Sequence, residues 1–195
     1  AYTTRAANNL GADAGAAHQV IRQMYVFTSL ALDAFASTVQ SLVGYFIGRG
    51  SISWARRVVR SGTLWSLGTG AALGLTMWLG KDLVVSMLVP AASVAVFLPA
   101  WGVSALTQPL GGLAFLTDGA HWGIGDYKFL RNAMIAATLA GMAGIWLVES
   151  RPWGSFLWIW IVTGIWVTAR ATLGILRVWP GIGGGPFQGD TGTAS

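Results

Sequence analysis

The 195-residue chain is 54% hydrophobic and only 10% charged, with a formal net charge of +5 and a mean hydropathy of +0.59. A soluble domain of this length does not have that balance, and no stretch is left over for one, so the expected class is all-α, a polytopic transmembrane helical bundle. The lack of cysteine excludes disulfides, thiolate metal sites and a thiol nucleophile, and in a membrane protein the basic excess serves topology before it serves any nucleic-acid partner.

Residues 1–15, AYTTRAANNLGADAG, are small, polar and turn-rich, and they read as the end of a helix and a loop. They lack the basic start and apolar core of a signal peptide, and the expectation is that they continue a longer chain. The first full span follows over residues 16–48. It is longer than the ~20 residues a helix needs to cross a bilayer, yet it carries His18, Arg22, Asp33 and Gln40. With Arg22 as origin, Ser29 and Asp33 fall about 20° to either side and Gln40 almost on the line; His18, Ser37 and Gly44 lie within about 60°. That continuous polar stripe suits a helix lining a protein interior or a wet cavity, and it predicts that Asp33 faces the interior of the bundle. An ionised carboxylate at this depth costs roughly 2.5–3.5 kcal/mol unless it meets water, a partner or a proton. Asp33 is therefore the leading candidate for a proton, cation or substrate site, with a structural carboxyl as the alternative. Ser29, Ser37 and Gln40 supply hydroxyls and an amide beside it.

Gly48-Arg49-Gly50-Ser51 breaks the first span, and SISWARRVVR adds a Ser51 N-cap and a basic turn. The second span covers residues 61–79, where Gly62, Gly68, Gly70 and Gly74 recur at spacings that allow close helix contact. A short interfacial piece, LVVSMLV, precedes Pro90. The third span, residues 91–116, is interrupted by Pro99 and by Gln108-Pro109-Leu110-Gly111-Gly112, which predicts a kink or hinge at Gln108 and Pro109. Asp118-Gly119 and Gly123-Ile124-Gly125-Asp126 read as the next loop, with both acids capping helices or binding loop amides. The fourth and fifth spans cover residues 129–148 and 153–176, and residues 180–195 read as a disordered cytoplasmic tail. His18 reads as interfacial, and Arg22 and Arg170 as snorkelling to headgroups. Trp54, Trp78, Trp101, Trp153 and Trp179 fit interfacial belts. No zinc, phosphate-loop or Ser/His/Asp pattern is present, so the chain does not read as an enzyme and no cofactor is expected.

The residues also carry a resemblance. AAHQ opening a span, then ALDAFASTVQSLVG, GRG and ARRVVR, resembles the first full helix of the C-terminal lobe in MATE (multidrug and toxic compound extrusion) exporters, and most of all their DinF-like branch. Gln108-Pro109 followed by FLTDGAHWGIGDY is similar to the tenth helix of that branch and the loop after it. The resemblance implies that residues 1–179 are the C-terminal lobe, with helices eight to twelve and the end of helix seven: five full spans plus the end of a sixth. It implies a partner N-terminal lobe, a lipid bilayer around both, and a central cavity. The implied activity is secondary active export of small organic, often cationic or amphipathic, compounds in exchange for H+ or Na+. Position 40, often acidic in that branch, is Gln40 here, and Gly111 stands near the acidic helix-ten position of the related NorM branch. The alternatives are a non-transporting membrane module or half-length subunit, and a lipid-linked oligosaccharide flippase relative, whose cavity needs several cations where Arg22 alone is available. The implied location is the cell inner (plasma) membrane, multi-pass.

Loop charge sets an orientation. Arg49, Arg56, Arg57, Arg60, Lys128, Arg131 and Arg177 fall on one side, and Arg5, Lys81 and Arg151 on the other. The richer side is cytoplasmic, which puts the N-terminus outside. In the cysteine-free chain, a cysteine at Ser150 is expected to react with an impermeant thiol reagent applied outside the cell, and one at Ser53 only after permeabilisation. The reverse pattern would invert the topology.

Overall fold

A computed structural model describes residues 2–151 and 155–179, together with 181, 182, 184 and 187. Helix α1 (Tyr2–Asn9) leads through a left-handed Gly11, φ 116°, into α2 (Ala12–Gly48). Then come α3 (Ile52–Leu79), α4 (Lys81–Leu88), a single 3-10 turn (Ala91–Ser93), α5 (Val94–Leu106), α6 (Gln108–Ile124), α7 (Tyr127–Glu149) and α8 (Phe156–Val178). No strand occurs among the described residues. The tail expectation for 180–195 and the belt position of Trp153 fall on, or almost wholly on, residues outside this description.

Helices α2, α7 and α8 are each long and apolar enough to cross a membrane. Two bent pairs qualify when each is taken as one span: α3 with α4, bent by 59°, and Ala91–Leu106 with α6, bent by 45°. The bundle is thus all-helical, with three to five candidate spans.

Helix α6 is the centre of the packing, lying against α2, α3 and α8. Its small residues allow backbone to meet backbone. A Cβ on Gly112 would collide with the Ser66 carbonyl of α3, one on Gly119 with the Ala36 carbonyl of α2, and one on Gly123 would sit 2.7 Å from the Gln40 carbonyl. Helix α3 answers with Gly62, Ser66, Gly70 and Gly74, all buried at four-residue intervals. Gly70 lies against the Gln108 carbonyl and Gly74 against that of Ala105. Gly68, expected in that contact, is exposed with nothing near it, because it lies 200° around the helix from Gly70.

Three expectations are corrected. Asp118-Gly119 is not a loop: α6 runs through it and stops at Gly125, whose left-handed φ of 82° closes the helix. Trp101 is not interfacial but 1% exposed, stacked on Phe97, and its indole N–H donates to the Met77 carbonyl at 2.9 Å. The basic SISWARRVVR stretch and the second span form one continuous helix, and the Ser51 side chain makes no capping bond.

Gly70→Ala and Gly119→Ala are each expected to cost about 1–3 kcal/mol of stability through backbone overpacking. Gly68→Ala is expected to be neutral or to stabilise by up to about 1 kcal/mol through helix propensity. Denaturant unfolding in detergent checks this, and equal effects at all three positions would contradict the packing account.

Candidate functional site

The polar stripe of α2 lies on the surface of the bundle. Asp33, Ser37, Gln40 and Arg22 are exposed and Ser29 is half-buried. Ser29 donates to the Val26 carbonyl at 2.7 Å, and Asp33 has no side-chain hydrogen bond or ion pair among the described residues. The expectation that Asp33 turns into the interior of this bundle is therefore not met. The reason is phase. The packed face of α2 runs through Ala14, Ile21, Thr28, Leu32, Ala36, Val39 and Val43, and the stripe sits about 100° further round the helix. The stripe holds together as a face, but the neighbours α3, α5 and α6 choose a different one.

His18 shows the opposite departure. It is buried rather than interfacial, with Nε2 3.2 Å from the Thr4 hydroxyl and its ring against Trp160 and Phe156 of α8. It helps line a cavity of about 460 Å³ between α1, α2, α7 and α8, with Arg22, Tyr25, Thr163, Trp160 and Trp166. Its wall mixes aromatic, aliphatic and threonine side chains and contains no carboxylate.

At the break between α5 and α6, Gln108 is buried and its amide nitrogen donates to the Ser104 carbonyl at 3.3 Å. Pro109 has no N–H to give the preceding turn. Thr107 compensates: its amide reaches the carbonyls of Val103 and Ala105, and its hydroxyl those of Val103 and Ser104 at 3.1 and 3.0 Å. Pro99, expected to interrupt the same span, sits within α5 without ending it.

The charged groups that the sequence reading assigned to caps and headgroups find one another instead. Arg170 of α8 does not snorkel. Its side chain is 9% exposed, pairs with Asp118 of α6, and lies over the Trp166 ring at 4.7 Å. Arg177, two turns further along α8, grips Asp126 through Nε at 2.9 Å and Nη2 at 3.4 Å, and Asp126 makes no side-chain cap bond to α7. His121 is fully buried beside this pair, with Nδ1 3.5 Å from the Asp126 carboxylate and its ring against Phe129. Helices α6 and α8 run parallel, Thr107 lying by Gly164 and Thr117 by Gly174. The signal available in the sequence was the matched interval: eight residues between the acids and seven between the arginines, each about two turns. Among the described residues no three His, Asp or Glu side chains gather as a metal-binding group.

A helical bundle with three to five candidate membrane spans and paired charged groups among its helices is the class of protein the fold defines. The MatE family profile matches residues 1–147, and the chain belongs to this family, whose members are transporters. It is similar to Protein DETOXIFICATION 44, chloroplastic, of Arabidopsis thaliana, at 29% identity over 84% of this chain and 33% of that protein. It is also similar to Protein DETOXIFICATION 42 of the same plant, at 25% identity over 91% and 34%, and to the multidrug resistance protein NorM of Burkholderia vietnamiensis, at 30% identity over 90% and 36%. The chain thus spans about a third of the length of the curated relatives it matches. No solved structure matches it.

Pro109→Ala restores a backbone donor and is expected to straighten the bend. Spin labels at the exposed Leu98 and Trp122 should move apart. An unchanged distance would assign the bend to the Gly70 and Gly74 contacts of α3 alone.

Proposed function

We propose that the chain is the C-terminal lobe of a MATE exporter of the DinF-like branch, with five spans, and that it works with an N-terminal lobe in exporting small organic, often cationic or amphipathic, compounds by exchange for H+ or Na+. The observation that carries this reading is the α2 stripe. In a chain of the MATE family, Asp33, Ser37 and Gln40 are exposed and Ser29 half-buried on a helix that packs through a different face, from Ala14 to Val43. An acid on an apolar helix is costly against lipid and useful against a wet cavity, so the stripe faces the second lobe across that cavity. The bend at Gln108 and Pro109 is the hinge on which this lobe changes shape. The names of the relatives, detoxification and multidrug resistance proteins, agree with efflux. The location proposed is the cell inner (plasma) membrane.

The flippase alternative gains little from the structure. Arg22 lines the 460 Å³ cavity, but Arg170, the other cation near it, is already engaged by Asp118. In a non-transporting module, the stripe would mediate assembly instead.

Asp33→Asn keeps size and hydrogen bonding and removes the charge. In the complete transporter it is expected to insert normally and to reduce efflux, measured as loss of substrate from preloaded vesicles. Efflux equal to that of the native protein across the working pH range would refute a coupling or binding role for Asp33.

A further inference from the structure

Beside the α6–α7 turn, the end of α6 and the start of α7 border a cleft of about 330 Å³, lined by Asp118, Trp122, Tyr127, Lys128, Arg131 and Met134. The charges around it do not cancel. Asp118 is engaged by Arg170, and Asp126, the next acid along the chain, by Arg177. Lys128 and Arg131 are exposed and meet no acid. Lys128 makes no hydrogen bond or ion pair among the described residues. Arg131 bonds only its neighbour Asn132, through Nε at 3.2 Å and Nη2 at 3.1 Å, which orients the guanidinium and leaves Nη1 unused. Lys128, Arg131 and Met134 recur every three residues along one side of α7, the cations nearer the turn and the thioether deeper. Trp122 and Tyr127 are about half exposed, with ring centroids 5.2 Å apart. Such rings, apolar in body and polar at one edge, belong at the level of lipid headgroups.

We propose that this cleft binds the headgroup of an anionic glycerophospholipid. The phosphodiester accepts hydrogen bonds from Lys128 Nζ and Arg131 Nη1, charge-assisted on both sides. The glycerol region rests on Trp122 and Tyr127, and an acyl chain passes Met134 toward the hydrocarbon. The mixed wall favours a lipid over a soluble phosphate, which would use the cations and leave the indole and thioether without a role. The charge balance favours an anionic headgroup over a zwitterionic one, because the ammonium of the latter finds both neighbouring acids already taken. Other arginines at this end are arranged differently: Arg49 and Arg57 lie over rings of their own helices, Tyr45 at 5.3 Å and Trp54 at 4.8 Å. Loop charge puts this end of the bundle on the cytoplasmic side, so the lipid comes from that leaflet, where anionic lipids attract basic side chains. The proposal goes beyond the export reading and does not rest on it, because lipid binding can be measured without transport.

The test uses the complete protein purified in detergent and titrated with phosphatidylglycerol, the bound lipid being counted by native mass spectrometry. Binding is expected to saturate. Lys128→Gln combined with Arg131→Gln should weaken it roughly twentyfold, about fivefold for each cation at the headgroup. Lys128→Arg combined with Arg131→Lys keeps both charges and should keep most of the affinity. Arg56→Gln combined with Arg60→Gln removes two cations of α3 from the same end of the bundle and should leave binding unchanged. Phosphatidylcholine with the same acyl chains should bind about tenfold more weakly or less. Equal binding of the two lipids to the native protein overturns the proposal. So does displacement of phosphatidylglycerol by inorganic phosphate at equal concentration, which would assign the cleft to a soluble anion. Both comparisons use the native protein, so they decide the matter even where a variant fails to insert. The proposal also fails if the Lys128 and Arg131 variant inserts and binds like the native protein, or if the Arg56 and Arg60 variant loses as much.

Discussion

Everything in this bundle depends on how closely α6 can approach α2 and α3. Lipid offers no hydrophobic drive for helices to associate, so contact must come from packing and from polar links between helices. Along α6, Gly112, Gly119 and Gly123 bring its backbone onto the carbonyls of Ser66, Ala36 and Gln40. Along α3, Gly62, Ser66, Gly70 and Gly74 present the matching smooth face. With α6 seated that deeply, its far side meets α8, and Asp118 on it and Asp126 just past its end come within reach of arginines about fifty residues away. The partly buried ion pairs are therefore a consequence of the glycine contact, and they reinforce it.

Much of the fold was legible in the sequence because a bilayer imposes length and apolarity on each span. The break at Gln108-Pro109 was legible because a proline and two glycines fall together there, whereas Pro99 alone lies within α5 without ending it. Gly125 and Asp118-Gly119 show where this stops. Both look like turns in one dimension, but only at Gly125 does the chain adopt a left-handed conformation, while Asp118 stays helical because Arg170 accepts its charge. Trp101 was missed for a related reason. An indole at a span end is at home in an interface or in a core that offers its N–H an acceptor, and the Met77 carbonyl is such an acceptor.

The α2 stripe marks a sharper limit. Periodicity fixes which residues share a face, and Arg22, Ser29, Asp33 and Gln40 do share one. It does not fix which face the neighbouring helices take, because that depends on complementary shapes elsewhere in the chain. Here Leu32, Ala36 and Val43 fit the glycines of α6, Val39 fits Gly62 of α3, and the stripe is left beside the contact rather than within it. The polar residue of α2 that does enter the core with a partner from another helix is His18, met by Thr4 and the rings of α8.

The Asp118–Arg170 pair between α6 and α8, with the Asp126–Arg177 pair between the α6–α7 junction and α8, also acts as a vernier. Both acids and both arginines recur at nearly the same two-turn interval, so parallel helices can satisfy both pairs in one alignment only. A slip of one turn, about 5.4 Å, would leave four charges facing apolar side chains. A slip of two turns would mate one acid with the wrong arginine and strand the other two charges. During membrane insertion, when α8 arrives after α6 is already in place, misaligned intermediates are therefore costly enough to be rejected before the rest of the lobe closes over them.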